Sequence, residues 1–363
     1  MAATLKCDTI QNASSATANL TLDASANATV GGTLAMASSF KRNRLINGNM
    51  YIAQRATSAT VTAGTAVPTA STGYPCVDRW YVYSTGANVT AAQVAGSGSN
   101  KNLLQITGAA SVTAVGVGQR IEQLNSYDLA GQTATLSVNL ANSVLTTVTW
   151  TANYATSADT FGTIGTPTKT QIATGTFTVT STLTQYTTNI SIPAAATTGI
   201  EILFTVGAQT SGTWTIGNVQ LEAGSVATPY ERQIYSDQLA QCQRYCYQIL
   251  SNGASNGGAA GFVGVGTGAT SGGLSRATAT LPVLMRSSTP SLTLSNVSTT
   301  GTDLRVWNGS SVANATSLTG NYSVSNVAQF DCNIASSYTI GQALIVLWQN
   351  SITGGYVRFE AEL

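Results

Sequence analysis

Histidine is missing from all 363 residues. That one absence removes Ser-His-Asp and Cys-His nucleophilic catalysis and takes away the commonest zinc ligand. Charge is scarce as well: Asp, Glu, Lys and Arg together make up 8% of the chain, about a third of the usual globular share. Fifteen basic residues against fourteen acidic leave a net charge of +1, with no long run of either sign. A phosphate-neutralising face is not expected, which argues against nucleic acid as a partner. No stretch of about 18 apolar residues occurs, so no membrane insertion is expected. The opening MAATLKCDTIQ lacks the charged and apolar regions of a secretory signal and predicts synthesis in the cytoplasm. The five cysteines (Cys7, Cys76, Cys242, Cys246 and Cys332) are odd in number and scattered, so free thiols are the expectation. No calcium loop of alternating Asp and Asn is found, and no cofactor or metal site is expected.

What is abundant is Ala, Thr, Ser, Asn and Gly in alternating patterns. Residues 1–39 hold three short apolar beads, marked by Leu5 and Cys7, Leu20 and Leu22, and Leu34 and Met36. None can bury enough surface to fold alone. An extended stalk whose strands pair with copies from neighbouring subunits is expected, a disordered tail being the alternative. Residues 40–232 carry a denser rhythm, with strands around 103–107, 117–124, 134–142, 146–154, 171–180, 184–193, 200–208 and 214–222. Joined by Gly, Pro, Asn and Ser turns, they predict an antiparallel β-sandwich of the jelly-roll kind. Asn47-Gly48 is a candidate turn. A Gly-rich connector after Gly253 has neither the strand nor the helix that a phosphate loop needs. Residues 253–363 then return to alternation and predict a second β-sandwich, a knob with hairpin tips at Trp307-Asn308-Gly309 and Gly354-Gly355.

Between the two bodies the hydrophobic period changes from 2 to about 3.6. Leu239, Cys242, Cys246 and Ile249 step by 3, 4 and 3, and Tyr235 extends the row backwards. A connecting helix over 233–252 is predicted, its narrow stripe forming an oligomer seam between copies or packing on its own sandwich. The segment reads as a hinge.

Glycan hydrolysis needs two carboxylates about 5 to 10 Å apart. Asp78, Glu122, Asp128, Glu201, Glu222 and Glu231 show no such spacing; Asp78 beside Arg79, and Arg120 beside Glu122, read as structural ion pairs at the sandwich rim. Sugar binding is within reach of this composition, since aromatic rings stack on pyranose faces and neutral polar groups satisfy the hydroxyls. The candidates are Trp307, Tyr322, Tyr338 and Tyr356 in the second body and Tyr154, with Tyr74 and Phe161, in the first. Taken singly, each reads first as ordinary core or strand-edge packing. Trp80 and Trp150 read as core.

Several islands carry a resemblance: RLINGNMYIAQRATS (44–58), DRW (78–80), GQRIEQL (118–124), WTIGNVQLEAGSVATPYE (214–231), LAQCQRYCYQ (239–248) and FEAEL (359–363). Together they are similar to a family of bacteriophage tail fibre and tail-associated proteins, and the body between them to carbohydrate-binding-module jelly rolls. Met50, Ala53-Gln54, Pro75-Cys76 and Gln238 depart from the family pattern. The resemblance implies an all-β homotrimer in the virion tail fibre. Its N-terminus would be held by a phage tail or baseplate protein, and it would attach to a host surface glycan. A purely structural fibre segment or adaptor is the alternative, and a polysaccharide depolymerase a third class.

Overall fold

A computed structural model describes residues 9–11, 20–22, 28–30, 41–98, 100–251, 259–270, 273–295, 303–324, 326–334, 338–349 and 354–363. The chain divides into two compact units, Met1–Arg42 and Asn43–Leu363. In the first, β1 (Thr9–Ile10), β2 (Leu20–Leu22) and β3 (Ala28–Val30) form an antiparallel meander, with Ile10 opposite Leu20 and Leu22 opposite Ala28. Within this chain the three strands pair with one another. Leu5, Cys7, Leu34 and Met36 lie outside the described residues.

The second unit begins with β4 (Ser58–Val61), β5 (Tyr81–Thr85), β6 (Val89–Ala95), β7 (Asn102–Thr107) and β8 (Ala114–Ile121). A helical turn, α1 (Gln123–Ser126), follows. Next come β9 (Thr133–Asn142), β10 (Thr147–Ala155), β11 (Lys169–Thr178), β12 (Thr184–Ser191), β13 (Ile200–Val206) and β14 (Thr213–Ala223). Two sheets result, ordered β11-β10-β13-β8-β5 and β12-β9-β14-β7-β6-β4. The antiparallel pairs nest: β10 with β11, β9 with β12, β8 with β13, β7 with β14. A long ribbon folded over on itself in this way is a jelly roll. Alternation decides which residues go inside. Leu136, Val138 and Leu140 on β9 meet Ile202 and Phe204 on β13, with Trp80, Trp150 and Trp214 in the same core.

The predicted helix is only half helical. Residues Tyr235–Gln243 form α2, but Cys246–Leu250 is a strand, β15. Cys-Tyr-Gln-Ile-Leu suits a strand as well as a helix, and pairing with a distant edge decides between them. The remaining strands are β16 (Ala259–Gly268), β17 (Leu274–Thr280), β18 (Ser291–Leu294), β19 (Leu304–Trp307), β20 (Val312–Val324), β21 (Val327–Ile334), β22 (Ala343–Gln349) and β23 (Tyr356–Glu360). Instead of a second sandwich, β16-β17-β21-β20-β19-β22 close into a barrel, and β15-β23-β18 form a separate small sheet. Closure follows because β22 pairs with β16 on one side and β19 on the other. Alternation cannot announce that, since a strand's pattern records its faces and not its neighbours. Trp307-Asn308-Gly309 does connect the paired strands β19 and β20. Gly354-Gly355 leads into β23, which pairs with β15 and β18 and not with β22.

The sandwich is tied to β23 and the C-terminal residues by a buried polar seam, not by a hinge, and β23 in turn packs on the barrel core through Val357 and Phe359. Arg55 pairs with Asp78, Glu360 and Glu362; Arg79 pairs with Glu362 and lies 3.4 Å above the Tyr245 ring. Arg120 and Lys169 share Glu201, and Arg244 holds Glu122. Arg120 also donates to the Leu363 backbone oxygen at 2.7 Å. Five of the fifteen basic and five of the fourteen acidic residues are thus spent here. The ion pairs expected between sequence neighbours are not formed: Asp78 meets Arg55, and Glu122 meets Arg244. Burial alone would raise the carboxyl of Glu201, but Lys169 and Arg120 outweigh it and hold the group below its ordinary value. Glu122 is lowered likewise, burial being outweighed by Arg244 and Tyr245. Asp78 moves upward, because burial dominates its Arg55 and Gln54 contacts.

Candidate functional site

The site grows from a β-bulge. The pairing of β14 with β9 slips between Gly217 and Gln220, and Asn218 adopts φ 44° there. Bulges re-aim side chains at sheet surfaces. The loop from Asn43 to Asn49 fills this one: the Asn43 side chain donates to the Val219 oxygen at 2.9 Å, and the Val219 amide donates to the Gly48 oxygen at 2.9 Å. A Cβ on Gly48 would sit 2.1 Å from that Val219 oxygen, so only glycine lets the two backbones approach. Asn47 fastens the other end of the loop. Its side-chain oxygen accepts from the Tyr51 and Ile52 amides, and its side-chain nitrogen donates to the Ile52 and Asp78 oxygens.

Downstream, Gln220 and Glu222 reach across their own turn. Glu222 accepts the Thr228 amide at 2.8 Å and the Thr228 hydroxyl at 2.6 Å, while Gln220 Oε1 accepts the Glu231 amide at 2.8 Å. Glu231 in turn accepts the Asn43 amide at 2.8 Å. The QLEAGSVATPYE stretch is therefore a self-clamped loop that pins Pro229 and Tyr230 against the sheet. The Tyr230 hydroxyl lies with the Asn43 side chain and the Asn49 backbone, and burial pushes its phenol upward.

A pocket of about 400 Å³ opens beside this loop, lined by Asn139, Gln185, Asn218, Pro229, Tyr230 and Arg232. Gln185 stands directly opposite Asn139 across the β12–β9 pair, and Asn139 opposite Gly217 across β9–β14. The amides thus form a row across three strands on the outward face, opposite the core residues Val138 and Leu140. Asn139 donates to Asn100 Oδ1 at 2.9 Å, which orients its amide. Three amides offer donors and acceptors, Pro229 and Tyr230 supply an apolar wall, and Arg232 adds a guanidinium. A second depression of about 330 Å³ lies on the same sheet, lined by Leu103, Gln105, Ala141 and Thr215 among others.

The residues expected to bind a glycan do not converge. Tyr154 is half-buried against the sandwich core, and Tyr74 and Phe161 are buried. Tyr338 is buried in the barrel core, Tyr356 is half-buried with Arg358 4.1 Å over its ring, and Trp307 is 37% exposed. The side chain of Tyr322 lies outside the described residues. The oligomer seam is also redistributed. Cys242 and Cys246 are buried within the chain, Leu239 is half-buried, and Ile249 packs on the barrel core. Tyr235 is 54% exposed and meets Tyr51 edge-on at 5.3 Å. Cys246 and Ile249 stand on β15, so the five cannot share one helical stripe.

Carboxylates raised as hydrolytic candidates each have a structural partner. Asp78 accepts from Gln54, Asp128 pairs with Arg44 at 2.6 Å, and Glu122, Glu201, Glu222 and Glu231 are held as described. The amide row escaped the sequence reading. Asn139 and Gln185 are ordinary outward positions of alternating strands, and only their register makes them neighbours. The clamp of Gln220 and Glu222 places Pro229 and Tyr230 beside the pocket.

No family model matches the chain, and no curated protein matches it. Among solved structures it is similar to a CBM4 structure (14% identity, TM-score 0.33, 49% of this chain and 98% of that one). It is also similar to the C-terminal family 22 carbohydrate binding module of Clostridium thermocellum Xyn10B (15%, 0.28, 41% and 89%). A third similarity is to the enzymatically active domain of Bacteriophage CBA120 tailspike protein 4 (18%, 0.30, 44% and 21%). The class defined by the chain's own strand pairing is an all-β protein built on a jelly-roll sandwich.

Proposed function

We propose that this chain is a phage tail fibre protein that attaches to a host-cell surface glycan without cleaving it. The observation that carries the glycan part is the amide row of Asn139, Gln185 and Asn218 facing the Pro229-Tyr230 wall. Amides match sugar hydroxyls and an apolar wall matches the C–H face of the ring, which is the usual plan of small polar-ligand sites. The motif islands at 44–58, 214–231 and 359–363, which resemble phage tail proteins, supply the setting in the virion. In a homotrimer anchored to the tail by its N-terminal unit, three weak sites would combine by avidity. The test is a glycan array together with an adsorption-inhibition assay. Wild type should bind a subset of host glycans, and N139A/Q185A should lose most of that binding with an unchanged melting temperature. Retained binding by the double variant would place the site elsewhere, for instance at Trp307.

A purely structural fibre segment is the second reading, favoured by the buried ion seam that locks the sandwich to the C-terminal residues. It predicts no glycan signal and no inhibition of adsorption.

A further inference from the structure

The second depression on the six-stranded sheet, about 330 Å³, has no part in a pocket that holds one sugar. We infer that it is a further sugar subsite, so that the ligand is an internal stretch of a glycan chain, uncharged where it crosses this trough and held in both depressions at once. This rests on the glycan reading above and extends it.

Asn139 and Ala141 stand two positions apart on β9, so their side chains leave the same face about 7 Å from one another. Each belongs to a row across neighbouring strands. Gln185, Asn139 and Gly217 are in register in one row, and Ala141, Thr215 and Gln105 in the other. The second row floors the trough. From Leu183 beside β12 to Val94 on β6 the trough crosses five adjacent strands, roughly 19 Å at about 4.8 Å per spacing. That is longer than a single sugar ring. Gly217 decides what lies between the rows. A Cβ there would come 2.4 Å from Leu103 Cδ2 and 3.3 Å from Asn100 Oδ1. Leu103 therefore lies flat on the sheet and lines the trough, while Asn100 orients the Asn139 amide of the first pocket. The two depressions thus meet at an apolar surface that the C–H face of a sugar can cross. The Gln105, Gln185 and Thr215 side chains have no hydrogen-bond partner among the described residues, which leaves their amides and hydroxyl to a ligand. No charged side chain lines the trough among the described residues, so a carboxylate or sulfate would meet no counter-charge there. On the other sheet the corresponding face is closed over β8: Tyr81 and Tyr83 lie against Gly118 and Gly116 and are buried with Tyr74.

The test uses the full chain and, for each glycan positive on the array, fragments from the single sugar up to the hexasaccharide, measured by titration calorimetry. Affinity should rise with length, by roughly two- to tenfold for each neutral hydrogen bond gained, and level off once both depressions are filled. Q105A should weaken the long fragments by about that factor and leave the single sugar unchanged. T215F, which fills the floor of the trough, should abolish the gain with length, and N139A should weaken every fragment. Melting curves check that each variant folds; Q105A, an outward truncation, carries the test if T215F does not. Affinity that is the same for the single sugar as for the hexasaccharide would overturn the inference and leave the glycan reading standing. So would a gain with length that Q105A and T215F leave untouched. No binding to any glycan would sink both.

Discussion

Glu362 is the sharpest place to test the seam. It stands near the end of the FEAEL island, fully buried, with one carboxylate oxygen on Arg79 and the other 3.1 Å from Arg55. Replacing it by alanine leaves Arg79 buried against the Tyr245 ring and the Arg120 backbone oxygen, but without its carboxylate. Removing one partner of a buried pair costs about 3–5 kcal/mol, most of it the desolvated charge left behind. Arg55 keeps Glu360 and Asp78, so the larger share falls on Arg79. Spread over a unit of about 320 residues, an unfolding entropy of about 2.1 cal/mol/K per residue gives roughly 0.7 kcal/mol/K. The expected drop in melting temperature is therefore about 4–7 °C. Calorimetry and near-UV circular dichroism should follow the same transition in wild type, because the seam ties the sandwich to β23, whose Val357 and Phe359 pack in the barrel core. Replacing both partners, as in R79M/E362M, should recover most of the loss, since an apolar pair removes the buried charge altogether. A drop under about 1.5 °C for E362A would refute the reasoning, because it would mean that water or a rearranged partner neutralises Arg79 at little cost.

Two further outcomes follow from the same geometry. Gly48→Ala should destabilise the protein by about 1–3 kcal/mol through collision with the Val219 oxygen, and should loosen the Tyr230 loop; chemical denaturation with tyrosine-sensitive near-UV signals would register it. The pH dependence can be isolated at Glu201, whose folded value lies below its ordinary 4.5 because Lys169 and Arg120 outweigh burial. Its contribution is fully present above about 4.5 and is lost as pH falls through the lowered folded value. The melting-temperature gap between wild type and E201Q should thus be widest at neutral pH and shrink on acidification below 4.5. Asp78 works in the opposite sense, its raised value favouring the fold as it takes up a proton.

The motif islands look like unrelated beads in the chain, and the structure brings them into contact with one another. Asn47 holds Asp78 through its backbone oxygen and accepts the Trp80 indole at its own; Gln119 exchanges two hydrogen bonds with Ile46; Gln54 donates to the Cys246 oxygen; Arg55 and Arg79 grip Glu360 and Glu362. Each island is one side of a contact whose other side lies in another island. This also bears on truncation, because cutting after Gly253 would strip the seam of Glu360, Glu362 and Leu363 and leave Arg79 buried without its carboxylate.

Alternation by itself determined eight of the eleven sandwich strands, β7 to β14, the core place of Trp150, and the turn at Asn308. Those are local properties, set by a period of two and by the residues that tolerate a turn. Only the tertiary structure decided that Cys246–Leu250 is a strand, that the second body closes as a barrel, and that Asn139, Gln185 and Asn218 stand in one row. Each of these depends on which strand lies alongside, and in register with, a partner tens to hundreds of residues away. The charges show the same division most plainly. Composition made them few, but it was the fold that gathered a third of them into one buried seam and left Arg232 beside the amides.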